Sequence, residues 1–288
     1  MFTITNPSAQ SHPEDAAKVS PPVPDTDPSR QAPTTRLSNE TIDLLMRHRS
    51  IRQFQDKPVG EDIIETLLDV ARRAATYAYH QQVTFIRVTD VKIRDALAKI
   101  GQQPYIGGDK GELVIFVADL YRNARIRQDA GASTEPLERY TAYHAAVADV
   151  MISAQNYVVA AESLGLGTVY LGCIGNDPAQ VIKLLSLPAL TFPIVGVLVG
   201  HPAQEPQFKP RLPKSWTVGE NAYPQIDTEN AAADLQAYDA EVARYYDMRD
   251  LNRRVDTFST QIATKLGNSA TETAPFRQVF DAQGVNLH

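Results

Sequence analysis

The chain has 288 residues, 43% of them hydrophobic, and a formal net charge of −6. That is enough apolar material for one large domain or two small ones, and the acidic balance argues against a general nucleic-acid binder, which carries a basic face. One cysteine, Cys173, permits no intramolecular disulfide and fits a reducing compartment.

The N-terminus lacks the charged-then-apolar pattern of a signal peptide. Seven of the 19 prolines fall in the first 33 residues. Residues 1–36 carry few large apolar groups and are expected to form a disordered, Pro-rich tail. The folded domain is expected over 37–288. Ser38 is a plausible N-cap, and Ile42, Leu45 and Met46 follow at helical spacing. Ile63, Ile64, Leu67, Leu68 and Ala71 make one apolar stripe and predict a helix over about 60–75. "VTFIRV" (83–88) alternates like a strand, "VKIRDALAKI" (91–100) reads as a helix, and "ELVIFVADL" (112–120) reads as a buried strand.

Residues 121–141 are polar and lack a clear period, so they suggest a functional lid or a surface loop. From Ala142 to Leu164 runs a long helix that is apolar around most of its circumference. It is expected to be buried on nearly all sides, as the spine of the domain or the centre of a dimer interface. Its polar members Asp149, Gln155, Asn156 and Glu162 then require partners. A strand (168–172), a helix (178–186), a strand (193–199) and further helical stretches from 233 onward complete the chain. "FPIVGVLVG" (192–200) is the longest apolar run and is too short to span a bilayer as a helix. A soluble cytoplasmic protein without a membrane partner is expected. The element pattern predicts an α+β fold with a mixed or mostly antiparallel sheet.

Three cationic clusters stand out. "RHRSIRQF" (47–54) gathers Arg47, His48, Arg49 and Arg52 around Ser50. These cations either cap a helix C-terminus or converge on a phosphate, for which guanidinium forks and a hydroxyl are suited. "KPRLP" holds Lys209 and Arg211 between prolines, either as a directed cation pair or as an exposed basic turn. "RDLNRR" carries Arg249, Arg253 and Arg254 at what is otherwise a solvated helix end. The glycines of "GLGLGTVYLGCIGN" follow a helix and enter a strand, the wrong order for a dinucleotide fingerprint. They more simply let backbone pass close to a flat ligand or a neighbouring helix. The six histidines have no metal-ligand spacing, so no metal is expected. Cys173 reads as a buried small hydrophobe rather than a nucleophile.

Taken together, "HRSIRQF", "AAESLGLGTVYLG", "FKPRLP" after a "VGHP" strand end, and "ENAY" beyond it resemble the major, NADPH-dependent branch of oxygen-insensitive FMN nitroreductases, also called NADPH–flavin oxidoreductases. The resemblance spans about 42–255. It implies a nitroreductase-like α+β fold, with a mainly antiparallel sheet flanked by helices, in an intertwined homodimer. It implies non-covalent FMN and hydride transfer from NADPH to flavin, then to nitroaromatics, quinones or free flavin, in a ping-pong sequence. The rival expectation is an FMN-binding redox sensor or flavin store with slow turnover. By resemblance, His48, Arg49, Ser50 and Arg52 hold the phosphate, ribityl chain and polar ring edge. Lys209 and Arg211 complete the phosphate clamp. Tyr170, Leu171 and Gly172 line the ring face and rim, Gln103 contacts the flavin, and Arg249, Arg253 and Arg254 receive the NADPH 2′-phosphate. No protein acid or base is required in the hydride step, because the cofactor carries that chemistry. Related enzymes carry a serine-rich run where this chain has Ala75, Thr76, Tyr77, Ala78 and Tyr79. Thr76 and Tyr77 are expected at the cofactor and Tyr79 at the substrate pocket. Cys173 replaces a frequent glycine and is expected to tighten the flavin rim.

Overall fold

The computed structural model describes residues 37–226, 228–249, 257–265 and 274–286. The tail expectation for 1–36, Arg253 and Arg254 lie outside these residues. Arg249 closes a helix, but its side chain is outside the description.

The helices are α1 (Glu40–Met46), α2 (Glu61–Arg72), α3 (Val91–Gly101), α4 (Tyr121–Asp129), α5 (Tyr140–Ser163), α6 (Pro178–Leu184), α7 (Lys214–Thr217), α8 (Glu229–Arg249), α9 (Phe258–Lys265) and α10 (Ala274–Gln283). The strands are β1 (Val83–Arg87), β2 (Glu112–Asp119), β3 (Gly167–Leu171) and β4 (Thr191–Gly200). They form one sheet in the order β1-β2-β4-β3, antiparallel at every pairing.

Both sheet faces are covered, and β2 shows why its sequence lacks a polar face. Val114, Phe116 and Ala118 pack in one core cluster with Ile64 and Leu67 of α2 and Ala154, Tyr157 and Val158 of α5. The alternate residues Leu113, Ile115 and Val117 pack in a second cluster with Leu97 of α3 and Val181 of α6. A strand that alternates between two apolar layers reads as a continuous apolar run.

One expectation is corrected here. Residues 121–141 are not a structureless loop. They fold as α4 and a single 3-10 turn, Glu135–Leu137. Only Ala124 and Leu137 of this stretch are buried, too few to print a period. The ion pair Arg122–Asp119 ties its start to β2, Arg139–Glu135 braces the 3-10 turn locally, and hydrogen bonds of Glu138 and Tyr140 with Asn286 hold its end. In the single chain α5 is buried on one side. Ala146, Val150, Ala154, Tyr157 and Ala161 face the core, while Ala148, Met151, Ile152 and Gln155 form an exposed stripe on the opposite side. No helix among the described residues is long and apolar enough to cross a membrane.

Candidate active site

The arginine-rich motif leaves the helix before its cations arrive. α1 ends at Met46, and Ser50 pairs in parallel with Thr168 on the free edge of β3. Ile51 N–H donates to Thr168 O at 2.8 Å, and Phe54 bridges Pro202 beyond β4. Arg49 and Arg52 are therefore on extended chain, and the helix-capping reading falls.

Gly167 and Gly200, cross-strand partners in β3 and β4, make this edge pairing possible. A Cβ at Gly167 would stand 2.7 Å from Ile51 Cγ1, and one at Gly200 2.8 Å from Phe54 Cδ1. The close approach that the glycines allow is thus to the arginine motif. Gly165 plays a different part: at φ +76° it ends α5, with Leu166 N–H returning to Ala161 O at 3.1 Å. We expect Gly167→Ala to push the 50–54 run off the sheet edge and lower stability by about 1–3 kcal/mol, the usual cost of overpacking. A urea unfolding midpoint unchanged from wild type would contradict this.

His48 is oriented from α5. Its Nδ1–H donates to Glu162 Oε1 at 2.7 Å, and Thr168 Oγ1 donates to the same oxygen at 2.7 Å. The carboxylate places the proton on Nδ1 and leaves Nε2 for another partner. Arg49 turns the other way. Its Nη1 donates to Glu205 at 3.0 Å, its guanidinium lies 4.1 Å over the Phe208 ring, and its Nε is buried without a hydrogen-bond partner. This brings Arg49 against the loop that carries Lys209 and Arg211. Arg211 Nη1 donates to Lys209 O at 2.8 Å, and both cationic side chains are exposed. Tyr238 of α8 donates from its hydroxyl to Pro210 O, so the C-terminal helices brace this loop.

Along β3, the hydroxyl of Tyr170 donates to Gln155 Oε1 at 3.0 Å. Burial, and then the nearby Glu162 carboxylate, raise the Tyr170 pKa well above the usual range, so the hydroxyl stays a donor. Leu171 is buried, and Gly172, which opens the 3-10 turn Gly172–Asn176, has open space where a side chain would stand. Gln103 begins the adjacent 3-10 turn, with its N–H on Ala98 O. Cys173 does not narrow this rim. Its Sγ would lie 2.8 Å from a Cβ on Gly101, so the thiol packs inward against α3, and burial raises its pKa.

Thr76, Tyr77 and Tyr79 do not join this group within the chain. Their turn is anchored at Asp149, and Asp149 stands 13 residues before Glu162 on α5, about 20 Å along the axis at a rise of about 1.5 Å per residue. The structure thus divides the expected site residues into two groups. His48, Arg49, Ser50, Arg52, Gln103, Tyr170, Leu171, Gly172, Lys209 and Arg211 belong to the β3 side. Thr76, Tyr77 and Tyr79 belong with Asp149 near the middle of α5, beside a cleft of about 1110 Å³.

Sequence reasoning missed one positioning residue. Arg94 is 3% exposed, and its guanidinium donates to the carbonyls of Ile106, Lys110 and Gly111, shaping the loop after Gln103. Its signal was an arginine on the same helical stripe as Leu97. Among the described residues no His, Cys, Asp or Glu side chains gather as metal ligands.

Comparison with known proteins agrees with this geometry. Residues 45–201 match the nitroreductase family, and residues 209–288 match the C-terminal domain of the same family. The NADPH-flavin oxidoreductase of Vibrio harveyi is 36% identical over 240 residues, which cover 83% of this chain and 96% of that protein. Among solved structures, NfrA1 of B. megaterium superposes with a TM-score of 0.80 at 35% identity, over 86% of this chain and all of its own. The NADPH:FMN oxidoreductase of Vibrio harveyi, solved in complex with NAD+, superposes at 0.75 with 32% identity, over 87% of this chain and all of its own. With both segments matched and the fold shared over 86% of the chain, the chain belongs to the nitroreductase family.

Proposed function

We propose that this NADPH-dependent flavin oxidoreductase holds FMN non-covalently in a homodimer and passes hydride equivalents, in a ping-pong sequence, from NADPH to quinones, nitroaromatics or free flavin. The observation that carries the reading is the meeting of Arg49 with the 205–211 loop. Lys209 and Arg211 stand exposed beside it, and the orphaned Nε of Arg49 needs an acceptor. A phosphate supplies acceptors on several sides, and forked guanidiniums with an ammonium neutralise it. Ser50 adds a hydroxyl, and Arg52 supplies positive charge for the polar edge of the ring. Bound flavin would supply the two-electron chemistry. The chain's own residues bind and orient: Tyr170 stays a neutral hydrogen-bond donor, Glu162 sets the His48 tautomer, and the open backbone at Gly172 lets a flat ring approach.

Dimerisation follows from the two groups of site residues. Each is incomplete alone, and the stripe Ala148, Met151, Ile152 and Gln155 lies between them, exposed in the single chain. Antiparallel pairing of α5 with a second copy would cover that stripe and bring each Thr76–Tyr79 turn toward the other copy's β3 side. The lone cysteine supports a cytoplasmic location. An anaerobic NADPH titration followed by an acceptor screen tests the function. Rapid bleaching of bound flavin and fast re-oxidation by quinones are expected; slow turnover with every acceptor would favour a flavin store.

Arg249, Arg253 and Arg254 are proposed to receive the 2′-phosphate that distinguishes NADPH from NADH. Losing one charged contact costs about 1.5–3 kcal/mol, roughly ten- to a hundredfold in affinity. Arg253→Ala and Arg254→Ala should therefore raise the KM for NADPH, with little change for NADH. Stopped-flow flavin bleaching with each dinucleotide measures it, and equal losses with both would make these arginines structural.

A further inference from the structure

The turn that carries Tyr77 and Tyr79 is held in an unfavourable conformation by side chains that grip only its backbone. Ala78, Tyr79 and Gln81 have φ of 48°, 60° and 52°, three non-glycine residues in the left-handed region within four positions. Such residues persist only where the surroundings over-determine them. The side chain of Thr76 does not cap the turn. Asp149, 1% exposed, supplies the main restraint: Oδ1 accepts Tyr77 N–H at 2.6 Å and Oδ2 accepts Gln82 N–H at 3.3 Å. Among the described residues no cation pairs with this carboxylate, which accepts from the two backbone amides. From α4, Asn123 donates to His80 O at 3.1 Å and Arg122 to Gln81 O at 3.4 Å. The clamp consumes amides and carbonyls and leaves both tyrosine rings largely exposed, at 63% and 82%, with the Tyr77 ring edge-on to the His80 ring at 6.0 Å between centroids. Large aromatic rings on a rigid, strained turn beside an open cleft are costly to maintain for solvent contact alone.

We propose that Asp149 is a positioning residue that locks the 77–82 turn, so that Tyr77 and Tyr79 form a fixed aromatic wall selecting planar, fused-ring acceptors over single-ring ones. The proposal rests on the oxidoreductase reading above for its substrates, but not for the clamp itself. Asn at position 149 would set an amide N–H₂ against a backbone N–H, so Asp149→Asn removes a restraint at nearly constant volume. Two measurements on the full-length protein as purified separate the parts. The first is hydrogen exchange at the Tyr77 and Gln82 amides, which needs no flavin. Asp149→Asn should speed it about ten- to a hundredfold, the worth of one charged hydrogen bond. Ala78→Gly added to that variant should recover part of the protection, because glycine bears the left-handed backbone without strain. The second is the ratio of kcat/KM for a naphthoquinone to that for benzoquinone. It should fall about three- to tenfold in both Asp149→Asn and Tyr79→Ala, while Tyr79→Ala leaves amide exchange at Gln82 slow. Unchanged exchange in Asp149→Asn would overturn the clamp. Faster exchange with an unchanged ratio in both variants would overturn the selectivity. If Asp149→Asn does not fold, Asn123→Ala, which loosens the opposite side of the turn, must move exchange and ratio in the same directions or the proposal fails. A wild type without flavin or quinone turnover would instead defeat the oxidoreductase reading, and the exchange data would still decide the clamp.

Discussion

Arg49→Ala combined with Arg211→Ala is expected to give a folded protein that emerges from desalting without flavin. Each guanidinium lost from a phosphate removes a charged hydrogen bond worth about 1.5–3 kcal/mol. The pair is worth about 3–6 kcal/mol, roughly 10²- to 10⁴-fold in affinity. Arg49 has a second role, because its guanidinium lies over Phe208 and bonds Glu205, tying the 205–211 loop to the motif. Removing it should also loosen the loop that carries Lys209 and Arg211, so the Arg49→Ala loss already includes part of Arg211's contribution and the double loss should fall short of the sum of the single ones. Arg49→Lys separates the two roles. It keeps a charge for the phosphate but not the fork or the planar stacking, and an intermediate loss is expected. The flavin-to-protein absorbance ratio after desalting measures all three variants, and stoichiometric flavin in the double variant would refute the clamp.

A charge on the outer stripe of α5 should have the second large effect. Met151 and Ile152 are 43% and 44% exposed in the single chain, so Met151→Asp leaves the fold of one chain intact. In a dimer paired through this stripe, the carboxylate would be desolvated without a partner, at a cost of several kcal/mol per copy. Light scattering should then report a monomer mass. Flavin should be lost in parallel, since in the proposed dimer each group of site residues completes the other across the interface. A dimer that survives Met151→Asp with its flavin would place the interface elsewhere.

Part of this architecture was legible in the chain because its signals are local. Apolar periodicity located α2, β1, α3, β2, α5, β3, α6 and β4 to within a few residues, since one element's burial is written in its own spacing. The motifs also announced where charge would gather. In the long helix, three of the four polar residues expected to need partners, Asp149, Gln155 and Glu162, meet them among the described residues, and no hydrogen bond of Asn156 is seen there. The partners are Tyr77 and Gln82, Tyr170, and His48 with Thr168.

Other features depended on topology. α4 escaped notice because it buries one alanine and is held by ion pairs, which leave no hydrophobic period. Cys173 read as a narrowing of the flavin rim, yet its side chain turns inward, because the 3-10 turn that carries it packs against Gly101 of α3. His48 meets Glu162 across 114 residues, and Arg49 meets Glu205 across 156. Composition and spacing could say that these side chains carry charge and need partners. Only the antiparallel order β1-β2-β4-β3, which leaves the edge of β3 free for residues 50–54, decided which partners they met, and only the packed fold set the tyrosine turn on Asp149 near the middle of the same helix. Periodicity is a property of a few successive residues, whereas a site is made by the return of distant chain to a shared edge.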